Sequence, residues 1–214
     1  VINSAGLNSA KISDMLGIPG YVIQPVKGEY FVLDKKAGAF AKIPVYPAPT
    51  ERNTFDTHAT PTVDGNVLVG PNSFNVDDGE DYSVSQKGMD GLQESGARMF
   101  KHMKRDFYIR TFAGARPKRI DPATGEIQDF LIECRDDVPG VINLVGIESP
   151  GLTGALPIAR RVVRLLSERE MLTPNPDFNP VRQGIRRFHE QSREEQAKMI
   201  AEDPNYGDIV CRCE

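Results

Sequence analysis

One stretch limits what this chain can become. Gly140-Val141-Ile142-Asn143-Leu144-Val145-Gly146 is an apolar run of buried-strand type, and Glu148-Ser149-Pro150-Gly151 carries it into a second pattern. There Ala159, Val162, Val163 and Leu166 stand at i, i+3, i+4 and i+7, the spacing of one helix face. Strand, glycine turn and helix in that order form one α/β unit. The glycines let backbone come close to a ligand, and the helix start offers unpaired N–H groups at a positive dipole end, which suits an anionic or electron-rich group. An ordinary capped strand-to-helix connection is the other reading these residues allow.

A second strand and helix stand at the start. Val1 to Gly6 is a short apolar run ending in small residues, and Ile12, Met15 and Leu16 recur at helical spacing before Gly17 and Pro19 stop the pattern. A strand with nothing before it leads us to expect a chain cut inside a larger fold. Between the two units, Tyr21-Val22-Ile23, Tyr30 to Leu33, Ile43 to Tyr46, His58 to Thr60 and Val67 to Val69 read as short strands, with a hairpin signal at Asp64-Gly65. A helix is expected from about Val84 to Met103, then strands over Phe107 to Phe112 and Gln128 to Cys134, joined by a turn at Pro122 to Gly125. After Met171, Pro174, Pro176 and Pro180 mark an extended connector, and Ser192 with Glu195 forms a capping box for a last helix.

Composition narrows the class. At 39% hydrophobic and 26% charged, 214 residues can bury a core. The net charge is only −4 and the basic residues are scattered, which argues against a nucleic-acid binder. No apolar run reaches the roughly 20 residues of a membrane span. The expectation is a cytoplasmic protein, with attachment to the inner membrane face left open. Cys134, Cys211 and Cys213 have no disulfide-framework spacing, so no disulfide is expected, and Cys134 reads as a small core residue.

Five segments taken in order, NSAGLNSAKISDMLG, KGEYFVLDK, TPTVDGNVLVGPNS, TFAGARPK and GIESPGLTGALPIA, carry a resemblance. Over about Val1 to Leu166 the chain resembles the D-amino-acid-oxidase-like superfamily of flavoproteins. It is most similar to the branch of anaerobic-type glycerol-3-phosphate dehydrogenases and L-2-hydroxyglutarate oxidases. The resemblance implies an α/β (α+β) fold in which an antiparallel substrate-domain sheet joins the closing strand and helix of a Rossmann-like FAD domain. It divides the chain into a piece of FAD domain (1–20), a substrate or cap domain (21–138), the closing strand and helix (139–172), a linker with a short helix (173–210) and the start of a cysteine-rich module (211–214). No two glycines are spaced G-x-G, so the pyrophosphate fingerprint is absent and the chain alone is not expected to hold FAD tightly.

By the same resemblance, Gly6, Gly146, Ser149, Gly151, Leu152 and Thr153 are candidate FAD contacts, the last three through backbone N–H groups at the flavin pyrimidine edge. Arg116 matches an arginine that grips a substrate carboxylate or phosphate through its planar fork. His58 is the candidate base for the hydroxyl proton, although a lone strand histidine is more often structural. Tyr30 and Lys27 are candidate substrate contacts, Lys27 standing where the family's R-G-E-Y motif has arginine. Cys211 and Cys213 look like the opening of a [2Fe–2S] module, which needs four thiolates, or a chance C-x-C tail. His102 and His189 read as exposed. The activity implied is FAD-dependent oxidation of a CH–OH group in a small anionic substrate, glycerol 3-phosphate ahead of L-2-hydroxyglutarate. The electron acceptor would be a redox protein or quinone chain, and a homo-oligomer is allowed. Oxidation of amino acids and a non-catalytic ligand-binding or assembly domain are the alternatives.

Overall fold

The computed structural model describes residues 1–48, 57–182 and 184–208. Two compact units divide the chain, Val1–Glu170 and Met171–Glu214.

The first unit opens with β1 (Ile2–Asn3), followed by α1 (Ser9–Met15) and the 12-residue β2 (Val22–Leu33). The strands β3 (His58–Pro61), β4 (Val67–Gly70) and β5 (Phe74–Asn75) come next, and then α2 (Gln86–Met99). The 13-residue β6 (Tyr108–Ile120), β7 (Ile127–Gln128), β8 (Leu131–Cys134), β9 (Ile142–Val145) and α3 (Ala155–Ser167) complete it. A six-stranded antiparallel sheet runs β3-β4-β2-β6-β7, with β5 also on β2. A three-stranded sheet runs β1-β9-β8, in which β1 and β9 are parallel.

Several sequence expectations change here. Tyr21–Ile23 and Tyr30–Leu33 read as separate strands because Pro25 and Gly28 lie between them, yet β2 is continuous and pairs with β6 along its length. Pro25 stands opposite Pro117. The Val76 N–H donates to the Pro25 carbonyl at 3.1 Å, so that edge of Pro25 faces away from β6. In an antiparallel strand a residue's N and O point the same way, so the missing N–H removes no β2–β6 bond. The expected strand over Gln128 to Cys134 splits, its first part pairing in the large sheet and Leu131–Cys134 in the small one. β8 therefore pairs with β9 across the boundary expected at residue 138. Around Val45, among the described residues, one isolated bridge forms, to Ala59.

α1 also buries a different face from the expected one. Met15 is exposed, while Ser9 and Ser13 are fully buried. The reason is polar: the Asn3 amide donates to the Ser9 carbonyl at 2.8 Å and to Asn143 Oδ1 at 3.0 Å, and the Ser13 hydroxyl donates to the same Asn143 oxygen at 3.1 Å. A buried amide needs such partners, and small hydroxyl residues let the helix come close enough to supply them. In α3, Val162 and Leu165 are buried against Ile142 and Leu144, whereas Val163 is exposed.

The main core lies on one face of the large sheet, where Leu33, Val67, Val69 and Ala59 meet Phe31, Met99 and Tyr108. In the second unit α4 (Arg193–Glu202) starts at Ser192, whose hydroxyl accepts the Glu195 N–H, as the capping box predicts. Met199 is its buried residue, and Phe188 stacks on Tyr206.

Candidate active site

The pleat of β2 and β6 sorts the candidate residues onto two faces, because side chains alternate along a strand and directly paired residues share a face. Tyr30 pairs with Phe112, Gly28 with Gly114 and Val26 with Arg116. The Tyr30 and Phe112 rings stack at 4.8 Å and 4°. Among the described residues Gly114 has nothing within 4 Å of the place a Cβ would occupy, so the face is open on β6 between Phe112 and Arg116, whereas its partner Gly28 is covered by Pro71, 2.9 Å from an added Cβ.

Lys27 and Glu29 belong to the opposite face. The Lys27 ammonium donates to Asp81 at 2.6 Å and to the Ser83 carbonyl at 3.1 Å. That bond holds the Asp81 carboxyl well below its ordinary range. Lys27 is thus structural, and its expected place beside the substrate is not what the structure shows. Glu29, fully buried, receives the Ser85 N–H at 2.6 Å and the Asn72 amide at 2.7 Å, which fastens the start of α2 to the sheet.

On the open face, Arg116 is held loosely. Its Nη2 donates to Ser73 Oγ at 3.1 Å, its Nη1 lies 3.8 Å from Glu148 Oε2, and its Nε is buried without a partner. Lys118, two residues along and on the same face, contacts Glu148 Oε1 directly. Burial raises the Tyr30 hydroxyl above its ordinary pKa, against the opposing pull of the Arg116 guanidinium and with a smaller upward push from Tyr46. Tyr30, Arg116 and Tyr46 therefore share one electrostatic neighbourhood.

His58 pairs with Gly70 on β4, and its ring stacks on Tyr46 at 4.2 Å. A Cβ on Gly70 would meet the Tyr30 ring at 2.5 Å, so His58, Gly70 and Tyr30 lie along the same face. Three strand spacings, about 14 Å, separate the strands of His58 and Arg116. The two residues can serve opposite ends of a ligand, not the same group.

The loop from Ile147 to Gly154 forms the other side of the candidate site. Gly6 and Gly151 come together in a groove of about 550 Å³, lined also by Ile2, Ser4, Ile147 and Ala155. Gly151 is obligatory, since a Cβ would stand 2.5 Å from Ile147 Cγ2. Its N–H is already donated to the Glu148 carbonyl at 2.5 Å, so the expectation that it faces a ligand is corrected. Among the described residues no backbone acceptor takes the N–H of Leu152 or Thr153, and these two remain available. Gly146 faces away to Arg119, whose Cβ would be 2.7 Å from an added one, and its φ of +73° favours glycine. Ser149 lies within the same loop. Cys211 and Cys213 fall outside the described residues. Cys134 is free and packs beside the α3 core. His102 and His189 are exposed.

Sequence reasoning passed over Lys118, Ser73 and Phe112, and quoted Glu148 without a role. The alternation Arg116-x-Lys118 was the available signal for a second cation on that face.

An antiparallel sheet whose face is open at Gly114, joined to a strand–loop–helix unit that presents free N–H groups, has the two-part form of a cofactor-dependent oxidoreductase. Residues 1–165 match the family model described as FAD dependent oxidoreductase, and the chain belongs to that family. A glycerol 3-phosphate dehydrogenase of Caloramator mitchellensis is 34% identical over 100% of this chain and 43% of its own length. The mitochondrial L-2-hydroxyglutarate dehydrogenase of Arabidopsis thaliana is 31% identical over 76% of this chain and 36% of its own. The solved structure of FAD-bound L-alpha-glycerophosphate oxidase from Mycoplasma pneumoniae superposes with a TM-score of 0.68 at 29% identity, covering 83% of this chain and 44% of that one. The chain thus spans under half the length of these relatives. No helix among the described residues is long and apolar enough to cross a membrane.

Proposed function

We propose that this chain forms the substrate-binding sheet and the closing FAD-domain unit of an enzyme that oxidises glycerol 3-phosphate at a CH–OH carbon. Arg116 carries the reading: a partly buried guanidinium whose Nη1 stands 3.8 Å from Glu148, beyond hydrogen-bond distance, on the face of the stacked Tyr30 and Phe112 rings, fits an anion such as a phosphate. The glycerol 3-phosphate dehydrogenase aligned with the whole chain supports that choice of anion.

The residues present fit one end of FAD. The free N–H groups of Leu152 and Thr153, just before α3, would hold the pyrimidine edge, with Gly6 and Gly151 leaving room in the groove and Ser149 in the same loop. FAD supplies the two-electron oxidation of the substrate carbon. The chain's own residues do the rest. Arg116 anchors the anion, Tyr30 and Phe112 shield the carbon chain from water, and His58, oriented by its stack on Tyr46, takes the hydroxyl proton at the far end. Cys211 and Cys213 would supply two of the four thiolates of an iron–sulfur centre that passes electrons on to a redox protein or quinone chain.

The test is a visible spectrum of the protein made from its complete gene, before and after anaerobic addition of glycerol 3-phosphate. Bleaching of a flavin band is expected. A yellow protein that responds to L-2-hydroxyglutarate alone would move the substrate, and a colourless protein that gains no colour with added FAD would end the reading.

A further inference from the structure

Arg116 faces a carboxylate as an ion pair without a hydrogen bond to it. Glu148 Oε2 stands 3.8 Å from Arg116 Nη1, beyond the 2.7–3.2 Å of a hydrogen bond, although the two side chains are only 18% and 30% exposed and weakly screened. Lys118 accounts for the gap. It lies two residues from Arg116 on β6, on the same face, and contacts the other carboxylate oxygen directly. We propose that Lys118 is a positioning residue that draws Glu148 aside, so that the guanidinium fork of Arg116 stays open for the substrate's anion.

Without Lys118 the carboxylate keeps, among the described residues, Arg116 as its cation within reach, and a carboxylate beside a guanidinium closes into a two-bond pair. That pair would occupy the donors the substrate needs. With Lys118 in place the two cations and one carboxylate keep a net charge of +1 at the anion end of the site. Ser73, holding Nη2 at 3.1 Å, fixes the other side of the fork. The inference rests on Arg116 being the anion anchor.

The experiment uses the FAD-loaded protein from the complete gene. It reads KM and kcat for glycerol 3-phosphate together with the Kd of inorganic phosphate by calorimetry. Lys118→Met is expected to raise KM and Kd roughly tenfold with kcat within about threefold, because binding is lost before the chemical step is touched. Lys118→Arg should retain wild-type values. Glu148→Gln added to Lys118→Met should restore both constants, since the competing carboxylate is gone, and a merely structural role for Lys118 would not produce that rescue. An unchanged KM and Kd in Lys118→Met, or no rescue in the double variant, overturns the proposal. Arg116→Met separates the two layers: if it raises KM while Lys118→Met does not, only the positioning role falls, and if it too has no effect, the anchoring reading falls with it.

Discussion

Two glycines three residues apart on α2 are held by opposite physics. A Cβ on Gly88 would lie 1.6 Å from Glu29 Oε2 and 2.7 Å from the Asn72 amide, inside the cluster that fastens α2 to β2. Glu29 is fully buried and cannot move to water without leaving Ser85 and Asn72 unpaired. Gly88→Ala should therefore destabilise by about 2–4 kcal/mol, the range for overpacking that also breaks a buried polar network. Gly91 has nothing within 4 Å of its Cβ position and sits in the interior of the same helix. Gly91→Ala should stabilise by about 0.5–1 kcal/mol through helix propensity and a less flexible unfolded chain. Urea unfolding of the two variants checks both signs, and equal effects would mean that α2 is not seated on Glu29 as described. The same period-two logic explains what the sequence showed of the site. Tyr30 and Arg116, singled out from their motifs, fall on one face of the sheet. Lys27 was misplaced because it is three residues from Tyr30, an odd spacing that sends the two side chains to opposite faces once β2 is seen as one strand.

Strands longer than their apolar runs were the hardest elements to read, and β2 and β6 are both of that kind. Pro25 and Gly28 look like breaks in sequence, but a proline at a position that makes no inter-strand bond interrupts nothing. The closing unit β9–α3 was legible as a strand followed by a helix, since a buried strand and an amphipathic helix both carry strong periodicity, although Val163 of the expected stripe is exposed. Pairing was not legible: nothing in Gln128 to Cys134 announces that its two halves join different sheets. The tie between those sheets is local and titratable. The Tyr21 hydroxyl, just before β2, donates to Glu133 on β8, and burial together with that carboxylate pushes its pKa up to about 12. The folded value lies above the ordinary 10, so the contribution is complete below pH 10 and is lost as pH rises from 10 to 12, where the unfolded chain binds fewer protons. Tyrosinate absorbance should show a late-ionising group that is missing in Tyr21→Phe. The variant's stability should fall less steeply over the same range. Ionisation of Tyr21 alongside exposed tyrosines would break the inferred link between β2 and β8.

At the scale of the whole molecule, the site is complete at one end and open at the other. Arg116, the Tyr30–Phe112 pair and the N–H groups of Leu152 and Thr153 all lie within Val1–Glu170, yet no G-x-G turn is present to hold a pyrophosphate. The groove shared by Gly6 and Gly151 continues along α3 past Ala159 and Val163, which is 53% exposed, and Ile2 beside it is 47% exposed. A cofactor bound only at its ring end keeps the contacts that orient it and loses the charged ones that retain it. The 214-residue chain made alone should fold, because each sheet has its own buried apolar cluster, but it should release FAD on desalting. The protein from the complete gene should remain yellow through the same column. Flavin fluorescence titration gives the quantity: a dissociation constant for the isolated chain above about 100 μM, less than roughly 5.5 kcal/mol of binding, agrees with a site that only orients the ring. Stoichiometric flavin surviving desalting on the isolated chain would show that the Gly6–Gly151 groove and the Ile147 to Gly154 loop retain the whole cofactor.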